Sequence, residues 1–234
     1  MHGEMPGLLS VAILALVHLY ANKTKVFGWL WHGRFLSFAA GLSFAYVFVD
    51  LLPALEIGQP VLKQTFGEII PYFDKHAYLI ALFGLLFYYM LQRKIESLPS
   101  EKFWFSISGY LLFNFFVGAS LSDPTNLDIQ PISLFTIGIS MHYFVRDHQA
   151  RVESKPLYMK RGRWLLVSAL IIGFIIGKVT HIPNALVAIA VSFLAGGIVL
   201  NVLCYELPSK KQSGISFVIG AVAYTVLFIF VGKV

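Results

Sequence analysis

His142, Arg146, Asp147 and His148 fall within one short stretch, ISMHYFVRDH (139–148), at the end of a long apolar run. Imidazole and carboxylate groups ligate metals, and a guanidinium beside them adds a fixed positive charge. Further polar groups stand in equally apolar surroundings. Asn114 lies in FWFSISGYLLFNFFVGASLS (103–122), and Asn201 and Glu206 lie in FLAGGIVLNVLCYELP (193–208). Asp50 lies in SFAAGLSFAYVFVDLLP (37–53). An imidazole nitrogen and an amide oxygen suit a borderline divalent cation such as zinc, the amide being the weaker ligand. Asn114 and His142 are therefore the primary metal candidates, with Asp50, Asp147, Asn201 and Glu206 as helpers. The same pair serves equally well as interhelical glue, an Asn bonded to a His across two packed helices. Asp50 and Glu206 precede Pro53 and Pro208, where a solvated carboxylate at a helix end is ordinary. His2, His76 and His181 lie at or near the mouths of apolar segments, as metal-collecting or plain surface histidines.

The surroundings of these residues are those of a bilayer. Of 234 residues, 57% are hydrophobic and 13% charged, with a mean hydropathy of +0.73. A soluble domain carries about 25% charged residues, so the chain reads as a single transmembrane domain over 1–234. The start has no basic leader followed by a small-residue cleavage site and is not read as a removed signal peptide. The one cysteine, Cys204, forms no internal disulfide. The net charge of +6 gathers in a few loops, which indicates membrane orientation rather than nucleic acid.

A helical span takes about 20 mostly apolar residues. Eight segments qualify, near 5–21, 35–54, 76–91, 103–122, 129–146, 164–180, 184–204 and 214–232. The loops after the first, third, fifth and seventh hold the basic residues, the densest being RVESKPLYMKRGR (151–163). Of 18 Lys and Arg, only Lys63, Lys75, Lys178 and Lys233 fall on the other side. The excess of Lys and Arg inside puts both termini outside the cell membrane, as an even span count requires. The stretch 37–53 also repeats in SFLAGGIVLNVLCYELP (192–208), with Ser, Phe, Ala, Gly, Val, Leu and Pro at matching places. These spans run in opposite directions, which predicts inverted three-helix repeats (spans 1–3 and 6–8) around a central pair (spans 4–5).

LSFAAGLSFAYVFVDLLPAL (36–55) and FLAGGIVLNVLCYELP (193–208) resemble the second and seventh helices of the ZIP (Zrt/Irt-like protein) family of divalent-metal transporters. That family has eight spans, outside termini and inverted repeats. Its fourth helix typically reads H-N-x-x-D-G, against FNFFVG (113–118) here, and its fifth H-E-x-P-E, against HYFVR (142–146). Asn114, Gly118 and His142 match. Phe113 and Val117 stand in place of a ligand His and Asp, and Tyr143 and Arg146 in place of two glutamates. A divalent ion about 6 Å from the Arg146 guanidinium would be repelled by about 5 kcal/mol at an effective dielectric of 20. HYFVRDHQA (142–150) further resembles a divergent bacterial branch with a His…Asp-His pattern after the fifth helix.

The resemblance implies an inward transporter of a zinc-like divalent cation through an altered, single-ion site, with no resident cofactor. Two alternatives stay open: a ZIP-fold protein that binds or regulates without transporting metal, and a transporter for another, anionic solute favoured by Arg146. No G-x-S-x-G or H-E-x-x-H motif is present, and the chain is not read as an enzyme. The bilayer and the ion are the expected partners, nucleic acid is not, and a homodimer is compatible with the sequence.

Overall fold

The computed structural model describes residues 5–20, 29–67, 74–94, 99–122, 132–180, 183–208 and 212–231. These residues form eight helical runs and no strand. The runs are α1 (Met5–Tyr20), α2 (29–66), α3 (His76–Lys94), α4 (Pro99–Ser122), α5 (Ile132–Glu153), α6 (155–179), α7 (184–206) and α8 (Gly214–Val231). The all-α class expected from the sequence is observed. Five stretches are long and apolar enough to cross a membrane: Gly33–Phe66, Phe103–Ser122, Lys155–Val179, Asn184–Cys204 and Gly214–Val231. Met5–Tyr20 and His76–Met90 are apolar but shorter. Large apolar side chains point outward, among them Leu82 and Phe83 on α3, Ile172 and Ile175 on α6, and Val218 and Ile219 on α8. A surface of this kind suits hydrocarbon and is consistent with a membrane protein.

Three helices depart most from their expected ends. The α2 helix was expected to stop near residue 54 but runs from 29 to 66 through Pro53 and Pro60. The reason is a π turn, Val47–Leu51, between two α-helical lengths, Trp29–Tyr46 and Leu52–Phe66. The wider turn lets the Leu52 N–H reach the Val47 carbonyl. Pro53 then falls in the first turn of the next length, where its missing N–H costs nothing. Asp50 is consequently inside a continuous helix and buried, not at a solvated end. The α5 helix continues past residue 146 to Glu153, with Asp147 and Ala150 buried. The α6 helix starts at 155, after Ser154 breaks the run with an extended backbone (φ −154°, ψ 88°), and contains a second π turn, Tyr158–Gly162. A third π turn, Val202–Glu206, ends α7 just before Pro208. Residues 21, 129–131 and 232 of the expected spans lie outside the described residues, as do His2, His181, Lys23, Lys25, Lys210, Lys211 and Lys233.

The helices pack as two groups. In one, α4 lies along α6, while α1 packs on α5, α6 and α4. In the other, α3 lies along α7 and α8 along α2, with α2 also touching α7 and α3. The main contact between groups is α2 on α5. Glycines set the closest approaches. A methyl group at Gly41 would overlap the Phe217 carbonyl, and one at Gly220 the Phe38 carbonyl. On the other pair, Gly196 meets the Ala81 carbonyl and Gly84 the Phe193 carbonyl in the same way. Phe38 and Gly41 hold in 37–53 the places that Phe193 and Gly196 hold in 192–208. The α2–α8 and α7–α3 contacts are thus made at matching positions. Small residues let the backbones touch where no hydrophobic effect drives helices together.

Candidate functional site

Three clusters of buried polar side chains lie within the helices. The first centres on His18. Gly7, Ser10, Val11, Leu14 and His18 form the buried stripe of α1, with Ser10 and Val11 adjacent and the other steps three or four residues. This periodicity carries the imidazole between α4 and α5. Its Nδ1 lies 2.8 Å from Asp147 Oδ2, and its Nε2 lies 2.7 Å from Asn114 Oδ1. The ring stacks on Tyr143, with centroids 4.4 Å apart, and meets the Tyr110 ring edge-on at 5.6 Å. Asn114 Nδ2 donates to the Tyr110 carbonyl at 2.9 Å, and the Tyr158 hydroxyl donates to the His18 carbonyl at 3.3 Å. His18, Asn114 and Asp147 are each at most 1% exposed. The cluster joins α1, α4, α5 and α6, which are all four helices of one group.

The second cluster spans the two groups. His142 Nδ1 of α5 lies 3.0 Å from Glu206 Oε1 of α7 and 3.2 Å from Ser43 Oγ of α2. Asn201 Nδ2 donates to the same Glu206 oxygen at 3.3 Å. The third cluster belongs to the other group alone, where the Tyr224 hydroxyl of α8 donates to Asp50 of α2.

Asn114 and His142, paired by residue type in the sequence, therefore sit in different clusters. The Phe113 ring lies between, 5.9 Å from His142 and 6.0 Å from Tyr143, edge-on to both. Among the helpers, Asn201 and Glu206 join His142, Asp147 joins Asn114 through His18, and Asp50 stands apart. His76 stacks on Phe66 at the start of α3. Arg146 does not point at the His142 cluster. Its guanidinium donates to Ser106 and to Gln149 and lies 5.7 Å over the Tyr110 ring. The guanidinium is thus held against Ser106 and Tyr110 of α4. Sequence reasoning missed His18, although it is the only imidazole, carboxylate or basic group in Met5–Tyr20, and an ionisable group at membrane depth is by default a site. Ser43 and Tyr224 carried no comparable signal.

Buried polar atoms almost always find partners, so the orphans are informative. Asp50 Oδ1, Asp147 Oδ1, Glu206 Oε2, and the hydroxyls of Tyr110 and Tyr143 are buried without a hydrogen bond. Two cavities approach this polar interior from opposite ends. One, of about 270 Å³, is lined by the second half of α2 and the start of α7 and reaches Asp50. The other, of about 220 Å³, is lined by the start of α2, the end of α5 and the end of α7 and reaches Glu206. Among the described residues, no three His, Cys, Asp or Glu side chains converge as a metal centre. His142 and Glu206 supply two strong ligands, with Ser43 and Asn201 adding weak oxygens. A closed structural zinc site takes four strong ligands, which this set does not supply. Neither a protein-family model nor a curated protein matches the sequence.

Proposed function

We propose that the chain is a ZIP-like membrane transporter that carries a zinc-like divalent cation between its two helix groups, past Asp50, His142 and Glu206. The observation that carries this reading is the pair of cavities entering from opposite ends, each lined by a buried carboxylate. Carboxylates offset the desolvated charge of an ion, and His142 stands at the junction of the groups as a nitrogen ligand. Eight spans with inverted repeats give such a path its symmetry. The matching glycine contacts of α2–α8 and α7–α3 support this arrangement, as do the π turns Val47–Leu51 and Val202–Glu206 at corresponding places in the repeat. Movement of one group against the other would open each cavity in turn.

Uptake of Zn²⁺ or Cd²⁺ into proteoliposomes, read by a trapped indicator, tests the reading. Wild-type protein should give uptake, and Glu206→Gln and His142→Ala should not; equal uptake by all three would refute the path. Cysteine labelling at positions 63 and 155 tests the topology, because labelling from the same side is incompatible with eight spans. One observation favours a second reading, a ZIP-fold protein that binds or regulates without transporting: no three strong ligands converge among the described residues. Wild-type protein that binds the ion without moving it would select that alternative.

A further inference from the structure

Asn114 of α4 and Asp147 of α5 are two buried polar groups that both face His18, and a metal ion is the obvious alternative guest for such a pair. The geometry around His18 argues against one. Asn114 Nδ2 donates to the Tyr110 carbonyl, so Oδ1 is the atom that faces His18. The flipped amide would set two carbonyl oxygens against each other. Asn114 Oδ1 only accepts, so His18 Nε2 must carry a proton and has no lone pair for a metal. The 2.8 Å contact of Nδ1 with Asp147 Oδ2 holds a second proton. The pair therefore bears one proton on each side of the ring. Tyr143 fixes the ring plane by stacking, and Tyr158 holds the His18 backbone from α6. Neither cavity is lined by His18, Asn114 or Asp147. With His18 in place, the set does not fit a metal ion.

We propose that His18 is the resident occupant of the α4–α5 polar site, an intramolecular ligand bridging Asn114 and Asp147 where an ion would otherwise lie. This site then fastens α1, α4, α5 and α6 into one body and takes a small heteroaromatic base, imidazole, once the side chain is removed. The inference rests on helices of one group and does not depend on transport.

Two measurements on the full-length protein in nanodiscs decide it. The first is ¹⁵N NMR of histidine-labelled wild type, with the His18 ring assigned through its contact with the Asn114 amide. A proton bound at Nε2 is expected; a bare Nε2 overturns the proposal. The second uses His18→Gly, which leaves a space of imidazole size. Imidazole at millimolar concentration should raise its melting temperature by several degrees and leave wild type unchanged. Cd²⁺ should bind His18→Gly at least tenfold more tightly than wild type, and adding Asp147→Asn should abolish the gain. If His18→Gly folds only with imidazole, the proposal is supported. If it folds in neither condition, the wild-type spectrum decides alone. Tight Cd²⁺ binding by wild type that is lost in Asn114→Ala overturns the proposal, whatever the outcome of uptake measurements.

Discussion

The His18 and His142 clusters have similar members and different neighbours. Each is an imidazole bonded to a buried carboxylate, with an amide completing the set. His18 is closed in on every side, with both ring nitrogens engaged and rings of Tyr143 and Tyr110 against it. His142 joins α5 to α2 and α7 across the group boundary, and its partner Glu206 lines a cavity. The same chemistry can thus serve stability or function, and location decides which. A polar cluster inside one rigid group raises the cost of taking that group apart. If the groups move against each other as proposed, a cluster across their boundary could not be made as strong without freezing that motion.

The largest expected effect belongs to the closed cluster. Asp147→Ala leaves the His18 ring buried and unmatched, and breaking a buried pair on one side costs about 3–5 kcal/mol. Asp147→Asn keeps an acceptor and should cost less than half of that. Reversible unfolding in mixed micelles would read both; equal, small losses would mean that the cluster does not hold the group together. Next in size are Gly41→Leu and Gly196→Leu. A side chain at either point meets a neighbouring backbone carbonyl, and overpacking costs about 1–3 kcal/mol or more. Because the two glycines hold matching places, their losses should be similar. If both variants stay monodisperse and stable on size-exclusion chromatography, the close contacts are wrong.

Much of this architecture was legible in the sequence, and the pattern of what was not has a physical cause. Apolar runs gave the helices, because every backbone polar group in hydrocarbon must be satisfied within the segment. Asn114, His142, Asp147, Asn201 and Glu206 stood out because polar groups there are costly. Their pairing did not, because partners such as His18 and Asp147 are 129 residues apart. Which side chains meet depends on helix rotation, and one residue turns the face by about 100°. Pro53 read as a helix stop because proline usually removes a backbone bond, and the π turn that absorbs the loss leaves no clear mark on the sequence. ZIP-type ligand positions pointed to helices four and five, whereas the partners that engage them here come from α1, α2 and α7.

A smaller effect on stability, with a larger one on activity, is expected at the open cluster. Glu206→Gln keeps the size of the side chain and an oxygen for Asn201, so unfolding should shift by about 1 kcal/mol at most, in line with single interhelical hydrogen bonds in membranes. Removing the charge should nevertheless lower Zn²⁺ uptake at least tenfold, since no other carboxylate lines that cavity among the described residues. A variant that loses stability as Asp147→Ala does, while still moving the ion, would reverse the roles given to the two clusters.

The smallest effect is expected where the clusters meet, at Phe113. Its ring is the apolar wall between His142 and Tyr143, edge-on to both and almost fully buried. Phe113→His replaces that wall with a ring of similar shape, so the packing loss should be about 1 kcal/mol, set by burying one more imidazole nitrogen. The new nitrogen would stand beside His142, which already faces Glu206. Two imidazoles and a carboxylate make a three-ligand set of the kind that holds zinc with one open position. Zn²⁺ affinity measured by calorimetry should rise about tenfold, and the rise should vanish in Phe113→His combined with Glu206→Gln. If the gain instead survives Glu206→Gln and vanishes with Asp147→Asn, the ion has settled on the His18 side. The wall would then not separate the two clusters, and the division between a closed and an open site would fail.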